Sequence, residues 1–596
     1  MKKKLLSVLL GVTMVVSMLS GCGSKASSDS SSKDAASKST SASGTEATAS
    51  GSSKYKDAIT VDVYDSLANY QGIATGWFAD IVKKKFNMQL NIISAQGGDT
   101  VYQTRSAAGN LGDLIVMGSE SGKLQDCVTA GLLTDMTKYM KNEKDVSQYS
   151  KAIDNTNSAV KTKGIWGIPT SVSSQSVTSP SEGLDLTFGP YFRWDLYAKL
   201  GYPEMKTLED ALPVLQKMQQ LQPTSDTGKK TYAFSLFKDW DGNMMCLAKQ
   251  PACFYGYDEM GFVFAKADGS DYQSIIDSNS AYVRNLKLYY SANQMGLVDP
   301  ESTTQNYDTM YKKYQDGQVL FSPWPWLGQA AYNTPTNTAA GKGFMLAPID
   351  DMKVFSYGAA KNGDKTVMAI GSKAKDPQRL ADFINWLYSP EGITMNCAQT
   401  TKSSGPEGLT WEMKDSKPVL TDFGKKAFYE GGDTKMPDGW GKGTWKDGVS
   451  PLNVTTVLGI DINPKTGYAY NYTLWDSVIA ANTTALDTDW QTKMKAKTTV
   501  EYLKNAGQMI VAPGSGYAAP QETSDITTIR SQCKAIIVQD SWKMVFAKDE
   551  NEFNSTLADM QKTVKGLGYD QVLKVDMQNS KDQETAREKA VADDSK

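Results

Sequence analysis

Histidine is absent from all 596 residues of the chain. Its absence excludes Ser-His-Asp and Cys-His catalytic groups, zinc sites with imidazole ligands, and the side chain that most often moves protons near neutral pH. Carboxylates, lysine and tyrosine remain for acid–base chemistry. Aromatic side chains are plentiful, with 13 Trp, 29 Tyr and 17 Phe, and such side chains are suited to recognition of a ligand.

Positive charge suited to phosphate is also scarce. Only six of the 63 cationic residues are arginine, and 66 acidic residues bring the formal net charge to −3. The forked guanidinium of arginine is the side chain that most often binds phosphate and guanine, so the small number of arginines disfavours nucleic-acid binding. No nucleotide-binding motif occurs either, so ATP hydrolysis is not expected of this chain.

Cysteine is sparse and shows no metal-binding spacing. Of six cysteines, five follow residue 22, and none forms a Cys-x-x-Cys pair. The odd number leaves at least one thiol unpaired within the chain, and buried free thiols are the expected state. A disulfide between Cys246 and Cys253 stays open as an alternative. Without histidine, clustered thiols or an EF-hand loop, neither a metal site nor a cofactor is predicted.

The first 22 residues have the pattern of a signal peptide. A basic start at Lys2 to Lys4 precedes an apolar stretch, Leu5 to Leu19, that is too short to remain a membrane span. Its end, Leu19-Ser20-Gly21-Cys22, resembles the bacterial lipobox, in which the cysteine is lipidated. We therefore expect lipidation of Cys22 and a lipid-anchored protein on the extracellular face of the bacterial cell membrane. An ordinary secretory signal is the alternative.

Residues 23–54 form a polar segment, with 13 Ser and 3 Thr in 32 positions and nothing apolar larger than Ala. Such a segment cannot bury enough surface to offset its ordering entropy, so we predict a disordered tether. The whole chain is 40% hydrophobic and 22% charged, as in globular proteins. The part after the tether is therefore expected to fold.

Apolar spacing in that part switches between strand and helix patterns. Ile59, Val61 and Val63 alternate as in a strand, residues 77–82 repeat at helical spacing, and residues 90–93 predict a second strand. Two further strands are predicted at residues 113–117 and 165–168, the latter closed by Pro169. The alternation favours an α/β fold with a parallel or mixed sheet covered by helices on both faces.

Two helices and one loop stand out later in the chain. Asp376 and Pro377 are typical of a helix start. Residues 553–567 repeat at helical spacing, whereas the charged tail beyond about Ser580 is expected to fray. The Gly- and Trp-rich stretch between about residues 428 and 453 is predicted to be a loop, either a packed cap or part of a ligand site.

A series of short motifs follows in order along the first 400 residues. They are Asp113–Ile115, Leu132–Thr137, Gly164–Pro169, Arg193–Asp195, Gly296–Pro300, Gly317–Leu327 and Ser389–Gly392. Together with the lipobox and tether they resemble the extracellular solute-binding lipoproteins of carbohydrate ABC importers, the large Gram-positive branch similar to maltose-binding proteins. The resemblance implies a two-lobed, type II periplasmic-binding-protein-like fold with a ligand cleft between the lobes.

The resemblance also implies a domain organisation and a function. Lobe 1 would take residues 55–172 with 364–400, and lobe 2 residues 173–363 with most of 401–596. The protein would be a monomer, not an enzyme, that captures a neutral carbohydrate, an oligosaccharide, and delivers it to a membrane permease driven by a separate ATPase.

Two tryptophans are the most informative candidates for ligand contact. Trp324 and Trp326 lie at the end of the segment Gly317–Trp326, and Pro323 and Pro325 bracket Trp324 and keep it out of a helix. In the resemblance, Trp324 corresponds to the sugar-stacking tryptophan of maltose-binding proteins. A pyranose has an apolar face that an aromatic ring supports and a polar rim that amides and carboxylates bind. Packing within a core is the alternative for both residues.

Other candidates come from loops after strands and from polar-aromatic stretches, because ligands of open α/β sheets bind beyond the carboxyl ends of the strands. They are Asn69, Tyr70, Asp99, Glu120, Trp166, Gln175, Trp240, Asp241, Tyr255 and Trp440. For these residues a packed or solvated loop is the alternative. Arg193 and Asp195 are expected to form a structural ion pair.

Two other functions stay open at this point. The 66 acidic residues would allow an extracellular glycosidase with paired carboxylates, although no recognisable acid motif supports it. A lipoprotein that binds peptide is the second alternative.

Overall fold

The computed structural model describes residues 54–95, 99–119, 122–398, 401–430 and 432–595. The signal peptide, the predicted lipidation site Cys22, the tether up to residue 53 and the predicted contact Glu120 lie outside the described residues. Asp99 opens a helix, but its side chain also lies outside them.

The helices and strands alternate along most of the described chain. The strands are β1 (Ile59–Asp65), β2 (Gly72–Ile73), β3 (Met88–Ser94), β4 (Leu114–Gly118), β5 (Ile168–Pro169), β6 (Tyr191–Arg193), β7 (Tyr257–Met260), β8 (Val263–Lys266), β9 (Tyr272–Ser274), β10 (Phe321–Ser322), β11 (Phe344–Leu346), β12 (Val354–Tyr357), β13 (Thr366–Ile370), β14 (Trp411–Lys414), β15 (Lys417–Leu420), β16 (Ile462–Asn463), β17 (Tyr468–Ala469) and β18 (Met509–Ala512). The helices are α1 (Trp77–Phe86), α2 (Asp99–Ala107), α3 (Lys123–Thr129), α4 (Lys144–Ser147), α5 (Ser150–Ser158), α6 (Trp194–Lys199), α7 (Ala211–Leu221), α8 (Cys246–Cys253), α9 (Ala281–Gln294), α10 (Tyr307–Gln315), α11 (Pro325–Tyr332), α12 (Pro335–Ala339), α13 (Pro377–Tyr388), α14 (Pro390–Met395), α15 (Asp422–Tyr429), α16 (Asp476–Asn482), α17 (Ala485–Met494), α18 (Thr499–Asn505), α19 (Ser524–Val545), α20 (Glu550–Gly566) and α21 (Tyr569–Asp594).

The first part of the chain builds a mixed six-stranded sheet in the order β2-β3-β1-β4-β13-β5. Strand β1 pairs in parallel with β3 and β4, and β13 returns antiparallel to β4. The predicted β-α-β start is confirmed, because α1 connects the parallel strands β1 and β3. The return of β13 from a distant part of the sequence makes the sheet mixed.

Both faces of this sheet are buried. Strand β4 is apolar at consecutive positions, so Leu114 and Val116 pack in one hydrophobic cluster and Ile115 and Met117 in another. Helices α1 and α13 cover the first face, and α3 covers the second. We call these two clusters together the first core, and they confirm the predicted sheet with helices on both faces.

A second core forms around a smaller sheet and the long helices. The strands run in the order β10-β6-β11, both neighbours antiparallel to β6. One large cluster of buried residues extends from Leu186 to Phe355 and continues with Leu486 to Val572 in the C-terminal part of the chain. Leu409, Trp445 and Tyr470 pack instead in the first core. A small separate cluster contains Trp411, Leu420, Tyr472, Trp475 and Val478.

Local signals in the sequence set several element boundaries. Helix α13 begins after Asp376, whose side chain accepts a hydrogen bond from the Arg379 amide, with Pro377 at the first helical position. Helix α20 buries Phe553 and Val564 as their helical spacing predicts. The Gly- and Trp-rich loop is a packed cap, because the buried Trp445 stacks on Trp77 with ring centroids 4.7 Å apart.

The prediction of a frayed tail beyond Ser580 is wrong. Helix α21 continues to Asp594, and Arg587 and Ala590 on it are buried. Asp594 forms an ion pair with Lys361 and accepts a hydrogen bond from the Val177 amide at 3.1 Å. Glu, Lys, Arg and Ala are good helix formers, so a charged sequence remains helical when one of its faces packs against the protein.

The strand predicted over residues 165–168 is also shorter than expected, since β5 takes only Ile168 and Pro169. It is the last strand of the sheet and pairs with β13 alone. A proline is tolerated at such a position because an edge strand has one side without a ladder partner.

Two further predictions concern charge and thiols. Arg193 and Asp195 form the expected ion pair, with Nε–Oδ1 and Nη2–Oδ2 distances of 2.9 Å, and Arg193 is fully buried. All five cysteines in the described residues are buried and free, so Cys246 and Cys253 are not joined. None of the described helices is both long enough and apolar enough to cross a membrane.

Candidate functional site

A cavity of about 870 Å³ lies where residues of the two cores meet. Ser171 and Lys365 line it from segments next to β5 and β13 of the six-stranded sheet. Phe188, Tyr257 and Trp324 line it from the second core. Its volume is typical of small-molecule sites, which are concave and mix apolar walls with a few polar groups.

Aromatic rings form one wall of the cavity. The chain leaves β10 at Ser322, and Trp324 lies at the N-terminal cap of α11 in an extended conformation. Trp324 is only 3% exposed, and it stacks on Trp326 with ring centroids 4.6 Å apart. Trp326 is 41% exposed and therefore offers the accessible indole.

This wall continues beyond the cavity lining. The ring centroid of Trp240 lies 5.8 Å from that of Trp326, and Trp240 is 43% exposed. Trp240 in turn stacks on Tyr307 of α10 at 4.6 Å. We call Trp240, Tyr307, Trp324 and Trp326 the aromatic cluster, in which Trp326 lies between the cavity and Trp240.

A second aromatic group lines the cavity from β12 and the segment before β6. Tyr357 lies 6.2 Å from Phe188 between ring centroids, and its hydroxyl donates to Asp258 Oδ1 at 3.4 Å. The nearby Asp258 carboxylate, together with burial, raises the pKa of Tyr357. Tyr357 is thus a neutral donor at neutral pH, and its ring is 41% exposed.

Charged groups of β7 and α8 supply a polar wall. Glu259 forms an ion pair with Lys249 and accepts a hydrogen bond from Asn243 Nδ2 at 2.9 Å. Burial raises the pKa of Asp258, and the positive charge of Arg587 opposes that shift. Burial alone would lower the pKa of Lys249, but the Glu259 carboxylate raises it overall. Glu259 and Lys249 neutralise each other, and Asp258 is left facing Arg587.

Solved structures resemble this chain, whereas no protein-family model and no curated protein matches it. An HMO binding ABC-transporter associated solute-binding protein from Bifidobacterium longum infantis superposes with a TM-score of 0.58 at 14% identity, over 88% of this chain and 99% of that chain. The S. pneumoniae ABC-transporter substrate binding protein FusA in complex with kestose gives a TM-score of 0.55 at 14% identity, with the same coverage. The alginate-binding protein AlgQ2, solved without calcium ion, superposes with a TM-score of 0.55 at 14% identity, over 88% of this chain and 99% of that chain.

The chain has the two-lobed, type II solute-binding fold. In a solute-binding fold the ligand cleft lies between the lobes, and the cavity described above is lined by residues of the second core and by residues next to the six-stranded sheet. The cavity is therefore the candidate ligand site.

The structure brings three of the predicted contact residues together and separates the others. Trp324 and Trp326 line the cavity, and Trp240 adjoins Trp326. Asn69 and Tyr70 are exposed on the loop after β1, and the Tyr70 hydroxyl donates to the Ile73 carbonyl at 2.6 Å.

The remaining predicted residues have partners away from this cavity. Trp166 Nε1 donates to the Thr162 carbonyl at 2.9 Å, and the backbone N–H of Gln175 donates to Ser173 Oγ at 3.0 Å. Asp241 accepts from Trp542 Nε1 at 2.7 Å and lines a different cavity. The Tyr255 hydroxyl donates to Asp351 at 3.0 Å. Trp440 is half-buried and packs against the first core.

Several cavity residues were not found from the sequence. Phe188, Tyr357, Asp258 and Glu259 carry no local motif, since only tertiary folding brings their segments together. Gln583 and Arg587 of α21 also line the cavity, within the tail that the sequence predicted to be frayed. In the sequence, Arg587 is distinguished only as one of six arginines in the chain, placed among residues that favour helix formation.

Proposed function

We propose that this protein is the substrate-binding subunit of an ABC transporter and captures a carbohydrate, an oligosaccharide, in the cavity between its lobes. The observation that carries the proposal is Trp326, a 41% exposed indole stacked on a buried tryptophan in the wall of that cavity. An indole held in this way supports the apolar face of a sugar ring, and polar side chains nearby bind its hydroxyls.

Charge in the cavity supports a neutral ligand. Its lining holds three cations, Lys249, Lys365 and Arg587, and three carboxylates, Asp258, Glu259 and Asp364. A strongly anionic ligand would need uncompensated positive charge, and this balance does not provide it. The described residues contain no group of three or more histidine, cysteine or acidic side chains arranged to hold a metal ion.

Binding without catalysis is the activity that the site favours. A glycosidase needs one carboxylic acid and one free carboxylate on opposite sides of the scissile bond. Glu259 is held by Lys249 and Asn243, and Asp258 lies beside it on β7. The similar structures are named as binding proteins, and those names include glycans and no peptide, which disfavours the peptide alternative.

The lobe boundaries stay a proposal, with one change. Residues 55–172 with 364–400 form lobe 1, and residues 173–363 form lobe 2 with the C-terminal helices. Because Leu409, Trp445 and Tyr470 pack in the first core, we assign residues 401 to about 470 to lobe 1 as well. The packing of α21 against β7 and β8 supports the assignment of the last helix to lobe 2.

The test is binding of defined glycans followed by a measurement of lobe closure. We expect at least one neutral oligosaccharide from a panel to raise the melting temperature and to bind with a measurable heat. Scattering with and without that glycan should show compaction, because a ligand that prefers the closed state shifts the population toward it. Release of cleaved sugar, or binding of peptides alone, would contradict the proposal.

Anchoring is proposed from the sequence alone. A diacylglycerol on Cys22 would hold the protein, as a monomer, at the extracellular face of the membrane next to its permease. We expect Cys22→Ala to abolish lipid attachment and to release folded protein into the medium, because acyl chains and no spanning helix would be the anchor. Metabolic labelling with palmitate and fractionation measure this outcome, and a variant that stays in the membrane fraction after a high-salt wash would contradict it.

A further inference from the structure

Arg587 differs from every other arginine of the chain in its partners. The other five make hydrogen bonds to carboxylates or carbonyls, for example Arg530 to Asp576 and Arg193 to Asp195. Arg587 is only 4% exposed, and its Nε is buried without a hydrogen-bond partner in the described part of the chain. Among the described residues its ion-pair contact joins Nη1 to Glu584 Oε2 at 3.6 Å, which is too long for a hydrogen bond.

A buried guanidinium without acceptors is energetically costly, because its N–H donors have lost water and gained nothing in return. Nε is buried without a partner, and the side chain forms part of the cavity wall. Arg587 therefore places a guanidinium with unused donor capacity in the cavity wall.

An acceptor with spare capacity faces these donors. Asp258 Oδ1 accepts from the Glu259 amide at 2.8 Å and from the Tyr357 hydroxyl at 3.4 Å, whereas Oδ2 has no hydrogen bond to the described residues. Asp258 on β7 and Arg587 on α21 line the same cavity, and the two elements pack against each other. The two side chains form no direct ion pair in the part of the chain that the structure describes, which leaves both open to a group between them.

We propose that the terminal helix α21 completes the sugar site, with Arg587 donating and Asp258 accepting hydrogen bonds to neighbouring hydroxyls of a neutral sugar ring. Two adjacent hydroxyls, each both donor and acceptor, match a guanidinium on one side and a carboxylate on the other. Gln583, one helical turn before Arg587, lines the same part of the cavity and adds an amide. This inference rests on the proposed carbohydrate-binding function.

A neutral ring fits this pair better than an acidic one. Arg587 already has the carboxylates of Glu584 and Asp258 near it, so a third carboxylate would meet uncompensated negative charge. Lys249 is held by Glu259 and does not supply the missing cation. An oligouronate is therefore the wrong ligand for this position.

The test compares Arg587→Met with Arg530→Met in the full mature chain. Arg530 holds the same helix through Asp576, with Nη1–Oδ2 at 2.9 Å, and does not line the cavity. The probes are 1-kestose, maltotetraose, cellotetraose, xylotetraose, mannotetraose and a guluronate trimer. Affinity is measured by calorimetry, and melting of the ligand-free proteins is measured beside it.

We expect Arg587→Met to weaken binding of the preferred neutral glycan about tenfold, because hydrogen bonds to a charged group are lost. Its ligand-free melting temperature should stay equal or rise, since a buried guanidinium without acceptors has been removed. Arg530→Met should show the reverse, with lower melting temperature and unchanged affinity. Asp258→Asn should weaken binding by a similar factor while it preserves the shape of the side chain.

Three results would overturn the proposal. Wild-type affinity in Arg587→Met would show that Arg587 does not touch the ligand, while the proposed function stood. If the wild type preferred the guluronate trimer and Arg587→Met lost that preference, Arg587 would bind the carboxylate of an acidic sugar and not the hydroxyls of a neutral one. Failure of the wild type to bind any glycan of the panel would reject the proposed function and this inference with it.

Discussion

Replacing Trp324 with alanine is expected to lower the free energy of unfolding of the ligand-free protein by about 3–5 kcal/mol. The indole is 3% exposed and belongs to the second core. It stacks on Trp326 and lies 6.2 Å from Trp240, so its removal would leave a void and take support from two exposed rings. Denaturant unfolding without ligand measures the loss.

Trp326→Ala is the matched control, because the same residue type is removed two positions further along the chain, where the side chain is exposed. We expect it to change the free energy of unfolding by only about 1 kcal/mol, the size of one aromatic pair. If Trp324→Ala kept wild-type stability and lost only affinity, Trp324 would be the ligand platform that the resemblance implied. Equal large losses in both variants would contradict the distinction between a buried and an exposed indole.

Local patterns in the sequence predicted those helices and strands that are determined by interactions between residues close together in the chain. The alternation of Ile59, Val61 and Val63 predicted β1, and the cap at Asp376 predicted α13, because both signals act within a few residues. The same reasoning failed for α21. Its charged sequence has no apolar stripe strong enough to predict burial beyond Ser580. Contacts with distant segments hold the helix, among them the ion pairs of Asp576 with Arg530 and of Asp594 with Lys361.

The candidate site was predictable only at the aromatic cluster. Two prolines around Trp324 constrain the backbone, and that constraint is visible in the sequence. The other cavity residues come from separate elements: Tyr357 from β12, Asp258 from β7 and Arg587 from α21. These elements are far apart in the sequence, and the spacing of residues along the chain does not show that they pack together. For the loop around Trp440 the sequence left both a packed cap and a ligand site open, and in the structure Trp440 packs against the first core.

The burial of Trp324 moves the expected sugar platform to Trp326. Trp326 presents a 41% exposed indole in the cavity wall, and Trp240 beside it is 43% exposed on the same aromatic cluster. A sugar ring that covers Trp326 would leave the next ring of an oligosaccharide close to Trp240, whose centroid is 5.8 Å away. The two indoles therefore provide two neighbouring positions, one inside the cavity and one at its margin.

We expect Trp326→Ala to weaken binding of the preferred oligosaccharide by about 2 kcal/mol, roughly thirtyfold, as is typical of a central aromatic anchor. Trp240→Ala should weaken a longer glycan more than its disaccharide fragment, since only the longer chain reaches beyond the cavity. Calorimetry of both variants against a length series measures the two effects. If Trp326→Ala bound as tightly as the wild type, the sugar would not stack on the aromatic cluster, and the carbohydrate assignment would lose the observation that carries it.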